Sequence, residues 1–120
     1  MNIEEFRGYC LIKAGTTEHM PFGPDILVFK VMDKMYALTG IDSFEFINLK
    51  CDPEYAIELR EKFDGAIRPG YHMHKKYWNS VSTDGSVPDD KIHHLINHSY
   101  ELVVSKLPKR LKDELKKLSD

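Results

Sequence analysis

Three short segments rich in β-branched and aromatic residues follow one another closely, and they restrict the fold more than any other feature. They span residues 26–32, 35–39 and 44–50, with connections of two and four residues between them. Connections this short join antiparallel neighbours, because a parallel crossover needs a dozen or more residues. The sequence therefore predicts an antiparallel meander, with Asp33-Lys34 as the first turn. In the third segment, alternation places Ile47 and Leu49 on one face and Phe44 and Phe46 on the other.

Helix signals lie on both sides of this meander. Residues 2–14 carry apolar residues at three- and four-residue steps, with Asn2 as N-cap and Gly15 as the stop. A second helix begins at Asp52-Pro53, where an N-cap residue precedes a proline at the first helical position. Its pattern ends at Gly65. Two helices are therefore expected to pack against the sheet.

The remaining elements complete an α+β order. Residues 16–20 are predicted as a short edge strand, and residues 66–68 and 77–82 as a further pair of strands. A long apolar stripe predicts a helix that starts near Pro88 and ends or kinks at Pro108, followed by a short helix with Leu111, Leu115 and Leu118 on its stripe. Because the strands come in hairpin groups, we predict an α+β fold in a single domain, residues 1–120. It has one antiparallel sheet of about five to six strands, with helices mainly on one face.

Composition narrows the classes of function. The 120 residues are 42% hydrophobic and 30% charged, which is typical of a globular protein, and the formal net charge is −2. A near-neutral total argues against a generally basic nucleic-acid binder but allows a local basic patch. No apolar run is long enough to span a membrane, and the N-terminal residues carry acid where a signal peptide carries lysine. We therefore expect a cytoplasmic protein, with Cys10 and Cys51 as buried reduced thiols.

The strongest local anomaly lies in residues 66–78, which carry a net charge of +3, the only tryptophan and no acidic residue. Basic side chains can contact phosphates, and aromatic side chains offer flat faces for stacking on bases. A strand–turn–strand unit with this content can act as a wing against a nucleic-acid backbone. The alternative is that Tyr71 and Trp78 belong to the core while Lys75 and Lys76 form a solvated turn.

Catalytic and metal-binding patterns are weak. The chain contains no GxGxxG, GxxxxGK[ST], GxSxG or HExxH pattern. His72 with His74, and His94 with His98, have spacings that metal sites use, but no carboxylate or cysteine completes a familiar motif. We therefore expect no metal, no cofactor and no enzymatic role. Cys51 precedes a helix N-terminus, yet a small buried residue is the favoured interpretation over a nucleophile.

Several blocks in order resemble a known family. They include Pro21-Phe22-Gly23, Asn48-Leu49-Lys50-Cys51-Asp52-Pro53-Glu54, Pro69-Gly70-Tyr71-His72-Met73 and Lys75-Lys76-Tyr77-Trp78-Asn79-Ser80-Val81. The chain resembles the MmcQ/YjbR family of small bacterial proteins over nearly its whole length. The resemblance implies a secretion-chaperone-like, CyaY-like α+β domain and DNA binding, by likeness to a double-wing transcription-factor domain. The family usually has asparagine where this chain has His74 and histidine where it has Tyr77.

The leading hypothesis is a DNA-binding module without a cofactor. In this hypothesis basic side chains contact phosphates, and aromatic and histidine side chains shape the surface. The last helix extends that surface. The predicted nucleic-acid-binding residues are Arg68, His72, Lys75, Lys76, Tyr77, Trp78, Lys109 and Arg110. Two alternatives stay open. One is a protein-interaction or chaperone-like domain, as monomer or homodimer, and the other is a site for a small anionic ligand around His72.

Overall fold

A computed structural model describes residues 1–119, which form one antiparallel sheet and four helices. The helices are α1 (Ile3–Leu11), α2 (Pro53–Lys62), α3 (Asp89–Ser105) and α4 (Lys109–Ser119). The strands are β1 (Thr16–His19), β2 (Ile26–Val31), β3 (Lys34–Gly40), β4 (Phe46–Lys50), β5 (Ile67–Pro69) and β6 (Trp78–Ser82). The strand order is β1-β2-β3-β4-β6-β5, and every neighbouring pair is antiparallel. The predicted α+β fold is confirmed.

The two faces of the sheet differ in what covers them. One face packs against all four helices in a single large core, in which Phe6 of α1, Leu59 of α2 and Ile96 of α3 are fully or almost fully buried. The opposite face carries a small apolar cluster of Val28, Leu38 and Trp78, whose partly buried apolar neighbours come from strands and from the β5–β6 loop. The prediction that helices cover mainly one face is therefore confirmed. The second face is where the basic-aromatic residues lie.

A β-bulge in β3 determines how α3 is attached. Phe29 pairs with Ala37, but the next residue, Lys30, pairs with Met35, so Tyr36 is an extra residue in β3. On its other side β3 pairs with β4 only as far as Ala37 and Leu49. One step further Tyr36 would lie opposite Lys50. There the buried Ser99 hydroxyl of α3 accepts the Lys50 N–H at 2.9 Å and donates to the Tyr36 carbonyl at 2.5 Å. Ser99 thus replaces a β-ladder contact and holds α3 on the sheet.

Local signals predicted two helix starts correctly. The Asn2 side chain accepts the Glu5 N–H at 2.8 Å, and the Asp52 side chain accepts the Tyr55 N–H at 3.3 Å. Capping of this kind satisfies backbone donors that have no partner within the helix. Helix α1 ends at Leu11, earlier than the predicted residue 14, and a turn leads to Gly15 at φ 72°.

Three detailed predictions were wrong. The β2–β3 turn uses Met32 and Asp33 at φ 48° and 67°, because Val31 pairs with Lys34 and both central residues adopt the positive φ of a two-residue hairpin turn. Phe44 lies before β4, also at positive φ, and its ring packs 5.9 Å from Phe6 on the helix face. Leu118 is exposed, so the apolar stripe of α4 ends at Leu115.

None of the helices formed by residues 1–119 is both long enough and apolar enough to cross a membrane.

Candidate nucleic-acid interface

The β5–β6 loop, residues 70–77, lies across the helix-free face of the sheet. The Tyr71 N–H donates to the Ser80 hydroxyl at 2.9 Å, and the Asn48 side-chain amide donates to the Tyr71 carbonyl at 3.1 Å. Further along the loop, Met73 packs against the small apolar cluster that contains Trp78. The basic-aromatic segment is therefore attached to the sheet at its start and middle. It does not project freely in the way that the wing interpretation suggested.

The chain enters this loop through a close approach that only glycine permits. The Gly70 N–H donates to the Trp78 carbonyl at 2.8 Å, which brings the two backbones together. A Cβ atom on Gly70 would lie 2.7 Å from the Trp78 Cβ, closer than such atoms approach in real structures. Gly70 therefore allows the loop to begin directly against β6.

Arg60 of α2 supports the end of the same loop. Its Nε donates to the Asn79 side-chain oxygen at 2.7 Å, and its Nη2 donates to the carbonyls of Lys75 and, at 3.4 Å, Trp78. A charged donor makes stronger hydrogen bonds than a neutral one. Arg60 was not among the predicted site residues, because it lies on a helix amid acidic residues and no local pattern links it to residue 75.

The predicted site residues fall into three environments. Arg68, His72, Lys75 and Lys76 are exposed, and Tyr77 is half-buried. Trp78 is only 7% exposed, so its ring supports the surface from beneath more than it presents a stacking face. On α4, Lys109 and Arg110 form ion pairs with Asp113 and Glu114 at 3.1 and 3.4 Å, which offset their charge locally.

Two of the exposed bases, Arg68 and Lys75, have different positions in the structure. Arg68 lies on β5, the edge strand of the sheet, opposite Ser80 of β6. Lys75 donates its ammonium to the Gly70 carbonyl at 3.2 Å and so also braces the loop. The predicted residues are therefore not brought into one compact group.

Three lysines that were not among the predicted site residues lie at one end of the sheet. Lys34 begins β3, Lys50 ends β4 and Lys106 follows α3, and together they surround the buried Trp78. The pKa of Lys50 is lowered from its ordinary value, mainly because the side chain is partly buried. The positive charge of Lys106 lowers it further. Among residues 1–119 the ion pairs involve other side chains, so no carboxylate offsets these three charges.

The Tyr77 ring lies between a predicted site residue, Lys76, and one that was not predicted, Lys106. The Lys76 ammonium lies 5.6 Å from the centroid of the Tyr77 ring, and the Lys106 ammonium lies 5.8 Å from it. Cations at this distance are attracted to the ring by about 0.5–1 kcal/mol at exposed sites. We call the group formed by Lys50, Lys76, Tyr77 and Lys106 the basic surface.

A separate pocket lies beside His72 on the same side of the sheet. It has a volume of about 400 Å³ and a mainly apolar lining that includes Phe22, Leu38, Phe46, Tyr71 and Met73. His72 itself has φ 59°, a conformation that side-chain-bearing residues rarely adopt, and its ring centroid lies 4.0 Å from that of Tyr71. We call this cavity the His72 pocket.

The other titratable candidates are occupied with structural contacts. The His98 ring accepts the Asp52 N–H at 3.2 Å, and burial lowers its pKa. No group of three or more metal-binding side chains occurs within residues 1–119. Burial raises the pKa of Cys10 and of Cys51 to about 12, so neither thiol is activated as a nucleophile. Both cysteines are free and buried, as predicted.

Comparison with known proteins gives the family. The YjbR family model matches residues 11–102. The chain belongs to the YjbR family. It is 33% identical over 109 residues to the uncharacterized protein YjbR of Escherichia coli, a match that covers 90% of this chain and 92% of that protein. It is also 42% identical over 91 residues to the uncharacterized protein YbdF of Escherichia coli O157:H7, covering 75% and 74%.

A solved structure shares the fold of this YjbR-family chain. The crystal structure of Deinococcus radiodurans protein DR2400, domain DUF419, superposes with a TM-score of 0.90 at 39% identity and covers 96% of this chain and 88% of that one. The residues matched by the YjbR family model include the β5–β6 loop and the His72 pocket but end before Lys106 and α4. The resemblance read from the sequence is therefore confirmed as family membership.

Proposed function

We propose that this YjbR-family protein binds nucleic acid, as a non-catalytic module that contacts phosphates through the basic surface. The observation that carries the proposal is the convergence of two ammonium groups, from the β5–β6 loop and from the end of α3, on the Tyr77 ring. Neither lysine is paired with a carboxylate among the described residues. Unpaired cations beside a half-buried aromatic ring are typical of surfaces that follow a phosphate backbone.

The charge distribution also favours a limited contact area. The chain as a whole carries a formal net charge of −2, so attraction to a polyanion has to come from a local group of cations. Three or four phosphate contacts predict a slope of about −3 in a plot of log affinity against log salt concentration on duplex DNA. Binding is therefore expected to be weak and strongly dependent on salt.

The test is a salt titration of binding to labelled single- and double-stranded DNA, followed by fluorescence anisotropy. Lys76→Gln and Lys106→Gln are each expected to weaken binding and to reduce the slope by about one, because each removes one phosphate contact. Lys117→Gln on the exposed face of α4 is the matched control and is expected to change neither quantity. Wild-type protein that binds neither form of DNA at low salt would rule the proposal out.

The same titration separates the predicted bases of α4 from the basic surface. Lys109 and Arg110 already face carboxylates, so their neutral variants are expected to change binding less than Lys76→Gln does. An equal or larger effect of Arg110→Gln would instead place α4 in the interface.

A second candidate function is the binding of a small ligand in the His72 pocket. Small-molecule sites are typically apolar cavities of about 300–1,000 Å³ with a few polar groups, and the His72 pocket agrees with this description in volume and lining. A lining residue at positive φ, here His72, is also a common feature of ligand sites. The apolar lining favours a flat apolar ligand over the anionic one that the sequence suggested.

Gly40 gives a direct way to test this pocket. It lines the cavity, and a Cβ added there meets only the Ser43 hydroxyl, at an ordinary 3.7 Å. Gly40→Ile is therefore expected to fill the pocket without unfolding the protein, and to abolish binding of an uncharged, flat, apolar dye such as Nile red. Urea unfolding of the same variant checks that the fold persists. Unchanged dye binding by a folded Gly40→Ile protein would exclude the pocket as the site.

A further inference from the structure

The end of the sheet at which β3 and β6 begin and β4 ends carries a pocket distinct from the His72 pocket. Its volume is about 260 Å³, and its polar lining consists of the ammonium-bearing residues Lys34, Lys50 and Lys106. Lys50 and Trp78 are direct partners in the β4–β6 ladder, so one lysine and the indole are held at a common level of the sheet. We call this cavity the lysine–tryptophan pocket.

The rest of the wall is apolar. Met35 and Trp78 come from the sheet, Val103 comes from the last turn of α3, and Leu107 follows that helix. The last turn of α3 lies over this end of the sheet because Ser99, one turn earlier, bonds to the backbone of β3 and β4. Most of the lining thus lies on strands and on a helix, which is the arrangement that holds ligand-contacting groups most accurately.

The lysines are not neutralised from within the protein. The elements that face the pocket contribute three ammonium groups and no carboxylate, and the charge of Lys106 contributes to lowering the pKa of Lys50. Lys50 is half-buried, while Lys34 and Lys106 are exposed. A half-buried cation without a partner destabilises a fold, and a bound anion removes that cost. A phosphate monoester, which carries about −1.5 to −2 charges at neutral pH, complements three lysines better than a singly charged carboxylate.

The volume and the apolar wall define the rest of the ligand. A water molecule occupies about 30 Å³ in the liquid, so 260 Å³ is room for roughly eight waters, more than a phosphate group alone needs. The remaining wall is contributed by methionine, valine, leucine and the edge of an indole. A flat or apolar body attached to the phosphate would displace water from these groups.

We propose that the lysine–tryptophan pocket binds a phosphate monoester attached to a body that contains a flat ring. A free nucleoside monophosphate and the phosphorylated end of a nucleic-acid strand share this chemistry. The site goes beyond the proposed function, since a protein that does not follow a phosphate backbone can still bind a free monoester here. It also differs from the basic surface in depth, because it reaches the buried Trp78 rather than the outer face of Tyr77.

The test is isothermal titration calorimetry with a purine nucleoside monophosphate, the same nucleoside without phosphate, and inorganic phosphate. Fluorescence of Trp78, the only tryptophan in the chain, is the second readout. The nucleoside monophosphate is expected to bind at least tenfold more tightly than either fragment and to change the Trp78 emission. Absence of heat and of any emission change at millimolar concentration would overturn the proposal, as would equal binding of inorganic phosphate.

The decisive variant is Lys50→Met, which keeps the apolar stem and removes the charge. It is expected to weaken binding of the monophosphate by about tenfold, while its stability to urea stays equal or rises because a partly buried unpaired cation is removed. Lys117→Met on α4 is the matched control and is expected to leave binding unchanged. Unaltered affinity in a folded Lys50→Met protein would overturn the assignment of the pocket.

Two oligonucleotides distinguish the sources of the ligand. A single strand with a 5′-phosphate that competes with the monophosphate, where the same strand with a 5′-hydroxyl does not, supports the pocket and identifies strand ends as its ligand. If neither strand competes while the free monophosphate still binds, the pocket is supported and its ligand is identified as a small metabolite. Binding of the free monophosphate together with failure of the salt titration above would reject the proposed function alone.

Discussion

Ser99→Ala is expected to lower the free energy of unfolding by about 2–4 kcal/mol. The Ser99 hydroxyl is the partner of both the Lys50 N–H and the Tyr36 carbonyl, at a place where the bulge prevents β3 and β4 from pairing directly. Ser99 is completely buried, so water cannot replace the lost hydroxyl without opening the core. Urea unfolding monitored by circular dichroism measures the change.

Ser105→Ala on the same helix is the control for this prediction. Ser105 is exposed, and its hydroxyl donates only to the Leu102 carbonyl of the preceding turn. Its removal is expected to change stability by less than about 0.5 kcal/mol. If both variants lose a similar, small amount of unfolding free energy, the hydrogen bonds of Ser99 do not hold α3 on the sheet. Because α3 forms one wall of the lysine–tryptophan pocket, Ser99→Ala is also expected to weaken ligand binding there.

Gly70→Ala is the second change with a large expected effect, a loss of about 2–3 kcal/mol in the free energy of unfolding. The added Cβ would meet the Trp78 Cβ at 2.7 Å and the Trp78 carbonyl oxygen at 3.1 Å. Both belong to β6, which is held by strand pairing on both sides, so the loop has to move instead. Movement of the loop breaks the Gly70–Trp78 backbone hydrogen bond and displaces Met73 from the apolar cluster. Thermal unfolding measures the loss of stability, and the fluorescence emission of Trp78 reports the displacement of the loop.

Gly8→Ala is the matched control. Gly8 lies inside α1, and a Cβ there would have no atom within 4 Å, so alanine is expected to stabilise the helix by about 0.5–1 kcal/mol. Opposite signs for the two glycine-to-alanine changes would show that the cost at Gly70 comes from the close approach to Trp78. A Gly70→Ala protein as stable as the wild type would contradict the role given to this glycine.

Local sequence patterns predicted most elements because their signals are local. Asn2 and Asp52 cap helices through side chains that reach backbone donors three residues away, and alternation in residues 26–31 places Leu27, Phe29 and Val31 together in the core. The positions of turns were predicted less accurately, because residues other than glycine can adopt positive φ when strand pairing requires it. Met32-Asp33 and Phe44 are the examples.

The sequence by itself determined the α+β class, the antiparallel meander and the exceptional character of residues 66–78. These depend on periodicity, turn chemistry and charge over short distances. Only the tertiary structure decided that Arg60 braces the loop, that Ser99 replaces a ladder contact, and that Lys34, Lys50 and Lys106 gather around Trp78. These contacts join residues far apart in the chain. They depend on strand order and on a bulge, and no local pattern encodes either one.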